Sequence, residues 1–130
     1  MGHDLVVFFE HPEWQKPLWA ALDKRGLNYK PFDLKQASFD PDSMPEAKLY
    51  FNQASPSAYV RGNTRAVPFV LSMMRSLELR GARVLNGSVA FSLELRKSEQ
   101  CALMAGLGID HPRTLAFNDP EAAIANWKGS

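Results

Sequence analysis

The sequence predicts an α/β fold: a small, mostly parallel sheet with helices on both faces. Two observations predict it. Helical segments closed by glycine run into strand-like stretches at Gly26, Gly81 and Gly108, ahead of residues 27–34, 82–86 and 114–117. Glycine supplies the left-handed residue that closes a helix, and this helix–Gly–strand order is the grammar of α/β units. Residues 5–9, Leu-Val-Val-Phe-Phe, form a continuous apolar run. Such a run suits a strand covered on both sides, as parallel strands are.

The elements follow in order. Residues 5–9 form the first strand. A helix is expected over 14–25, with Leu18, Ala21, Leu22 and Arg25 at helical spacing and Pro17 in its first turn. A strand over 29–34 contains Pro31, which lacks a backbone donor and marks an edge strand. Residues 36–46 are polar, carry Pro41 and Pro45, and read as a surface loop. Short strands are expected over 47–52 and 82–86. Between them lies a helix over 64–80. Its stripe of Ala66, Phe69, Val70, Met73 and Leu77 is widened by Val67, Leu71 and Met74. A stripe that wide packs deeply, and its methionines are core fillers rather than a cofactor box. Residues 88–107 are helical, in two pieces or one kinked piece. A last helix over 119–127 takes Asp119 as its cap and Pro120 as its first residue.

The 130 residues, 45% hydrophobic and 22% charged, are enough for a real core. The net charge of +1 excludes a polybasic nucleic-acid arm. No apolar run approaches the length of a membrane span. One cysteine, Cys101, excludes an internal disulfide framework and points to the cytoplasm. The near-neutral total conceals an asymmetry. Seven basic residues against two acidic ones leave residues 61–97 at +5 and the remainder at −4. Arginine suits carboxylate or phosphate recognition, although Arg75, Arg80 and Arg83 also fit a solvated helix face.

Ligands of parallel α/β sheets bind beyond the carboxyl ends of the strands. That rule selects Glu10-His11, Asn52-Gln53 with the long connection 54–63, and Asn86-Gly87-Ser88. The connection carries Tyr59, which packs and hydrogen-bonds at once, and Arg61, which can hold a carboxylate; its serines also fit a purely structural loop. Asn86-Gly87-Ser88 resembles a small anion loop at a helix start, or ordinary punctuation between strand and helix. Lys97, on an apolar stripe if 88–107 is one helix, either snorkels outward or reaches a site. A dinucleotide fingerprint, a Walker loop and a nucleophile elbow are absent. His3, His11 and His111 lack ligand spacing, so no metal site is expected. Cys101 reads as an inert thiol, and no catalytic residue is assigned.

The ordered set Tyr50-Phe51-Asn52-Gln53 through Arg61-Gly62, Leu77-Glu78-Leu79-Arg80-Gly81 through Val84-Leu85-Asn86-Gly87, Leu93-Glu94-Leu95-Arg96-Lys97 and Gly108-Ile109 through Pro112-Arg113-Thr114 resembles bacterial ATP-grasp ligases. The branch it resembles is that of ribosomal-protein glutamate ligase and glutathione synthetase. The likeness covers about residues 47–117. It implies a Rossmann-like pre-ATP-grasp domain over 1–95 and the opening of an ATP-grasp domain over 96–130. It also implies a carboxylate–amine ligase acting through an acyl-phosphate. Lys97 would contact ATP phosphate; Asn52, Arg61, Asn86 and Tyr59 would meet the substrate. Two positions depart from the family: Arg96, where many members have serine, and Gln53, where many have arginine.

The family's second ATP lysine, Gly-rich loop and magnesium ligands lie beyond the matched stretch. The sequence therefore reads as an N-terminal fragment, inactive alone. ATP and magnesium would serve the complete protein without binding tightly to these residues. The implied partners are a small-molecule or peptide amine or carboxylate, with no nucleic acid and no membrane. The alternative is a non-catalytic α/β binding or oligomerisation module, expected as a homodimer. A receiver or flavodoxin-like regulator is disfavoured, because Glu10-His11-Pro12-Glu13 is neither an acidic cluster nor a phosphate loop.

Overall fold

The computed structural model describes residues 2–126 and divides into two compact units, Met1–Leu95 and Arg96–Ser130. In the first unit the order is β1 (His3–Phe9), α1 (Pro12–Lys24), β2 (Tyr29–Asp33), β3 (Ala47–Asn52), a 3-10 helix (Pro56–Arg61), α2 (Ala66–Leu79), β4 (Val84–Leu85) and α3 (Ser88–Leu95). All strand pairs are parallel, in the order β2-β1-β3-β4. Val7 of central β1 stands between Pro31 of β2 and Phe51 of β3. Pro31 thus sits on an edge strand, where a missing donor costs least.

Strand alternation sends Val6, Phe8 and Tyr50 to one face, where they form the core with Val70, Met73, Met74, Leu77 and Phe91. Phe8 is fully buried, edge-on to Phe32 at 5.7 Å and stacked with Tyr50 at 6.1 Å. Val7 and Phe9 point to the other face, where Trp19 of α1 meets Phe9 edge-on at 5.6 Å. Helices therefore cover both faces. Gly26 and Gly81, at φ 66° and 83°, close α1 and α2 in the left-handed conformation that disfavours a Cβ.

Several elements differ from expectation. Helix α1 begins at Pro12, so Pro17 lies inside it and removes one intrahelical donor. The fourth strand has two residues rather than five, because Asn86 turns out of the strand at φ 54°. Residues 54–63, read as a loop, contain a 3-10 helix capped by Ser55, whose side chain accepts from the Ser57 N–H at 3.3 Å.

Helix α3 is capped from a distance. The Glu78 carboxylate accepts the Ser88 N–H at 2.8 Å and also the Ser88 hydroxyl. A negative charge at a helix start is favoured by the dipole. A Cβ on Gly87 would collide with that carboxylate and approach the Val84 carbonyl to 3.2 Å. Gly87→Ala is therefore expected to cost about 1–3 kcal/mol, the usual range for overpacking, measured by urea denaturation.

The second unit holds α4 (Lys97–Gly106) and α5 (Pro120–Asn126). The break at Arg96 settles the reading of 88–107 as two helices and removes the continuous stripe that included Lys97. The strand expected at 114–117 does not form. Strand backbone groups need a neighbouring strand, and none pairs with it among the described residues. Asp119 caps α5, its Oδ1 accepting the Glu121 N–H at 3.0 Å. Trp127, at the end of the helix expected there, lies outside the described residues.

Candidate functional site

The strand order reverses between β1 and β3: the chain leaves β1 to one side for β2 and returns to its other side for β3. Loops diverge at such a point and leave a crevice at the carboxyl ends. Glu10 follows β1 there and is 3% exposed. Its carboxylate accepts Arg61 Nε at 3.1 and 3.0 Å and Arg61 Nη2 at 2.6 Å. Asn63 Nδ2 donates to it as well, and Arg61 Nη1 donates to Ser57 Oγ at 3.2 Å. The guanidinium lies 4.8 Å from the Trp14 ring centroid, and Trp14 stacks on His11 at 4.2 Å. The Arg61 hydrogen bonds hold the Glu10 carboxyl below its ordinary value of 4.5 against the opposing effect of burial, with the Asn63 bond adding to the shift. Arg61 does hold a carboxylate, but the carboxylate belongs to the chain.

Asn52 is 2% exposed and its amide is fully engaged. Oδ1 accepts the Ala54 N–H at 2.9 Å, and Nδ2 donates to the Asn86 carbonyl at 3.2 Å. Asn86 Nδ2 returns a bond to the Asn52 carbonyl, also at 3.2 Å. The structure brings these two residues together as a clamp that joins the ends of β3 and β4. Beside the clamp lies a cleft of about 360 Å³, lined by Asn52, Gln53, Asn86, Phe91 and Glu94 among others. Ser55 donates its hydroxyl to Glu94 Oε1 at 3.1 Å. Tyr59 is 60% exposed on the 3-10 helix. The presumed anion loop at Ser88 is filled by the Glu78 carboxylate. Lys97 belongs to the second unit, where its Nζ donates to Gln100 Oε1 at 3.4 Å in the first turn of α4. Among the described residues no three His, Cys, Asp or Glu side chains gather as metal ligands.

Sequence reasoning assigned no role to Asn63 or Glu78, and none beyond motif membership to Glu94. Glu78 and Glu94 stood within the quoted motifs, and Glu10 stood at a strand end. Position marked them, but their partners lie 10 to 53 residues away along the chain.

The fold has clear structural neighbours. It superposes on the ATP-grasp ligase PsnB complexed with a minimal precursor with a TM-score of 0.64 and 19% identity, covering 95% of this chain and 49% of PsnB. The chain has an ATP-grasp-like fold. PsnB complexed with precursor peptide PsnA2 and AMPPNP gives a TM-score of 0.60 at 18% identity, covering 96% of this chain and 50% of PsnB. This ATP-grasp-like chain thus spans about half the length of the ligase it matches. No protein-family model matches the sequence, and no curated protein matches it.

Proposed function

We propose that the chain is the substrate-side portion of an ATP-dependent carboxylate–amine ligase, of the branch of ribosomal-protein glutamate ligase and glutathione synthetase. The likeness to PsnB over nearly the whole chain, joined to a cleft at the carboxyl ends of a parallel sheet, supports this reading. The first unit acts as the pre-ATP-grasp domain, and Arg96–Ser130 opens the ATP-grasp domain. Lys97 contacts ATP phosphate. Asn86 and Tyr59 meet a small-molecule or peptide substrate, while Asn52 and Arg61 hold the loops that shape the cleft. Acyl-phosphate activation and magnesium coordination belong to residues other than these, so the 130 residues do not catalyse alone. A cytoplasmic location suits the free thiol of Cys101, and no described helix is long and apolar enough to cross a membrane.

Amide NMR spectra titrated with Mg-ATP test the reading. Saturable millimolar shifts are expected in the first turn of α4, with loss in Lys97→Ala. No response, or ADP release by these residues alone, would overturn it. A second reading, an oligomerisation module, is favoured by one observation. None of the described residues of the second unit is buried, and Leu107, Ile109, Leu115, Phe117 and Ile124 stand exposed. A stable dimer by light scattering, silent to Mg-ATP, would establish that module instead.

A further inference from the structure

A second cavity, of about 690 Å³, opens between the residues that follow β2 and those that lead into α2. Its size is that of a small-molecule site. Part of its wall is apolar: Leu34 and Ala66 belong to the buried core, and Phe69 packs against it. The charged side chains on the lining are Lys35 and Arg65, and both are cations. No carboxylate lines the cavity among the described residues. Asp33 stands 3.7 Å from Lys35 Nζ in a part-exposed pair, a kind of contact worth little. The Glu10 carboxylate is already held by Arg61 and Asn63. The Arg65 guanidinium meets no partner among the described residues. Both sides of the cavity are fastened to the end of β1. Leu34 donates its N–H to the Phe9 carbonyl at 2.9 Å, and the Asn63 amide donates to the Glu10 carboxylate. The backbone that carries the two cations is therefore set before a ligand arrives, which lowers the ordering cost of binding.

An anion joined to an apolar group fits this lining. A carboxylate brings one charge, and Lys35 already has one beside it in Asp33. A phosphomonoester carries about −1.5 to −2 at neutral pH on three acceptor oxygens, enough for Lys35, Arg65 and the Thr64 hydroxyl together. We propose that this cavity binds a phosphomonoester with an apolar or aromatic substituent, with Lys35 and Arg65 holding the phosphate and Phe69 beside the substituent. The site is separate from the cleft beside the asparagine clamp, and it does not depend on the ligase reading.

The test uses the whole 130-residue chain with phenyl phosphate, benzoate and inorganic phosphate as sodium salts at matched ionic strength, followed by amide NMR. Phenyl phosphate is expected to give saturable millimolar shifts at Lys35, Ala37, Thr64, Arg65 and Phe69. Arg65→Gln and Lys35→Gln should each weaken binding about fivefold or more, and Arg65→Lys should retain part of it. Both residues are exposed, so these variants are expected to keep the wild-type spectral dispersion. Lys24→Gln, an equal loss of charge at the end of α1, should leave the affinity unchanged. Inorganic phosphate should shift the same residues more weakly, because it lacks the apolar group. Equal or tighter benzoate binding, equal weakening by Lys24→Gln, an unchanged affinity in Arg65→Gln, or no saturable response to phenyl phosphate would each overturn the proposal. The ligase reading is followed separately, by the Mg-ATP shifts at α4.

Discussion

Phe8→Ala is expected to destabilise the first unit by about 3–5 kcal/mol, the usual cost of truncating a buried aromatic residue. Phe8 is fully buried on the central strand and sits between the rings of Phe32 and Tyr50. Its removal takes a partner from β2, β3 and the methionine layer of α2 together, so the cavity cannot close by one local shift. Domains of this size are held by only about 5–15 kcal/mol in total. Urea denaturation followed by circular dichroism should therefore show a large population of unfolded chain, or a midpoint displaced far below wild type. A loss under 1 kcal/mol would mean that the core collapses freely around the vacancy, contrary to the packing described.

Arg61→Met will destabilise the loops at the carboxyl edge, and the loss will deepen at neutral pH. The substitution leaves the nearly buried Glu10 carboxylate with Asn63 as its remaining side-chain partner. Removing one partner of such a pair strands an uncompensated charge. Asn63→Ala, which deletes one bond to that charge, should cost roughly 1.5–3 kcal/mol. Arg61→Met should cost more than that.

The pH dependence has a definite sign. The Glu10 carboxyl is held below its ordinary value of 4.5 in the folded chain. Its contribution is therefore fully present above about that value and is lost as pH falls through the lower folded value. Wild type should lose stability below pH 4.5 by protonating Glu10. Arg61→Met should show a flatter acid limb, since the interaction that lowered the value is gone. A parallel acid limb in the two proteins, measured by urea midpoints across acid pH, would contradict the pairing.

Much of the fold was legible because its signals are local. The apolar run 5–9 needs only its own residues to declare a buried strand. Gly26 and Gly81 mark helix ends by conformational freedom alone, and Pro31 declares an edge by the donor it lacks. Strand Ala47–Asn52 carries the expected bounds. The expected strand at 114–117 failed for the complementary reason: its local pattern is adequate, but a strand exists only where another strand meets it.

The candidate site divides along the same line. By itself the sequence determined the fold class, and it determined that Asn52, Arg61 and Asn86 stand near strand ends. Only the tertiary structure decided what those side chains do. Arg61 meets Glu10 across 51 residues, Asn52 meets Asn86 across 34, and Glu78 fills the helix start that looked ready for an anion. Backbone periodicity and turn chemistry act between near neighbours and are written in the order of residues. Hydrogen-bond saturation depends on which distant groups the fold brings within 3 Å, and residue order alone does not specify those pairings.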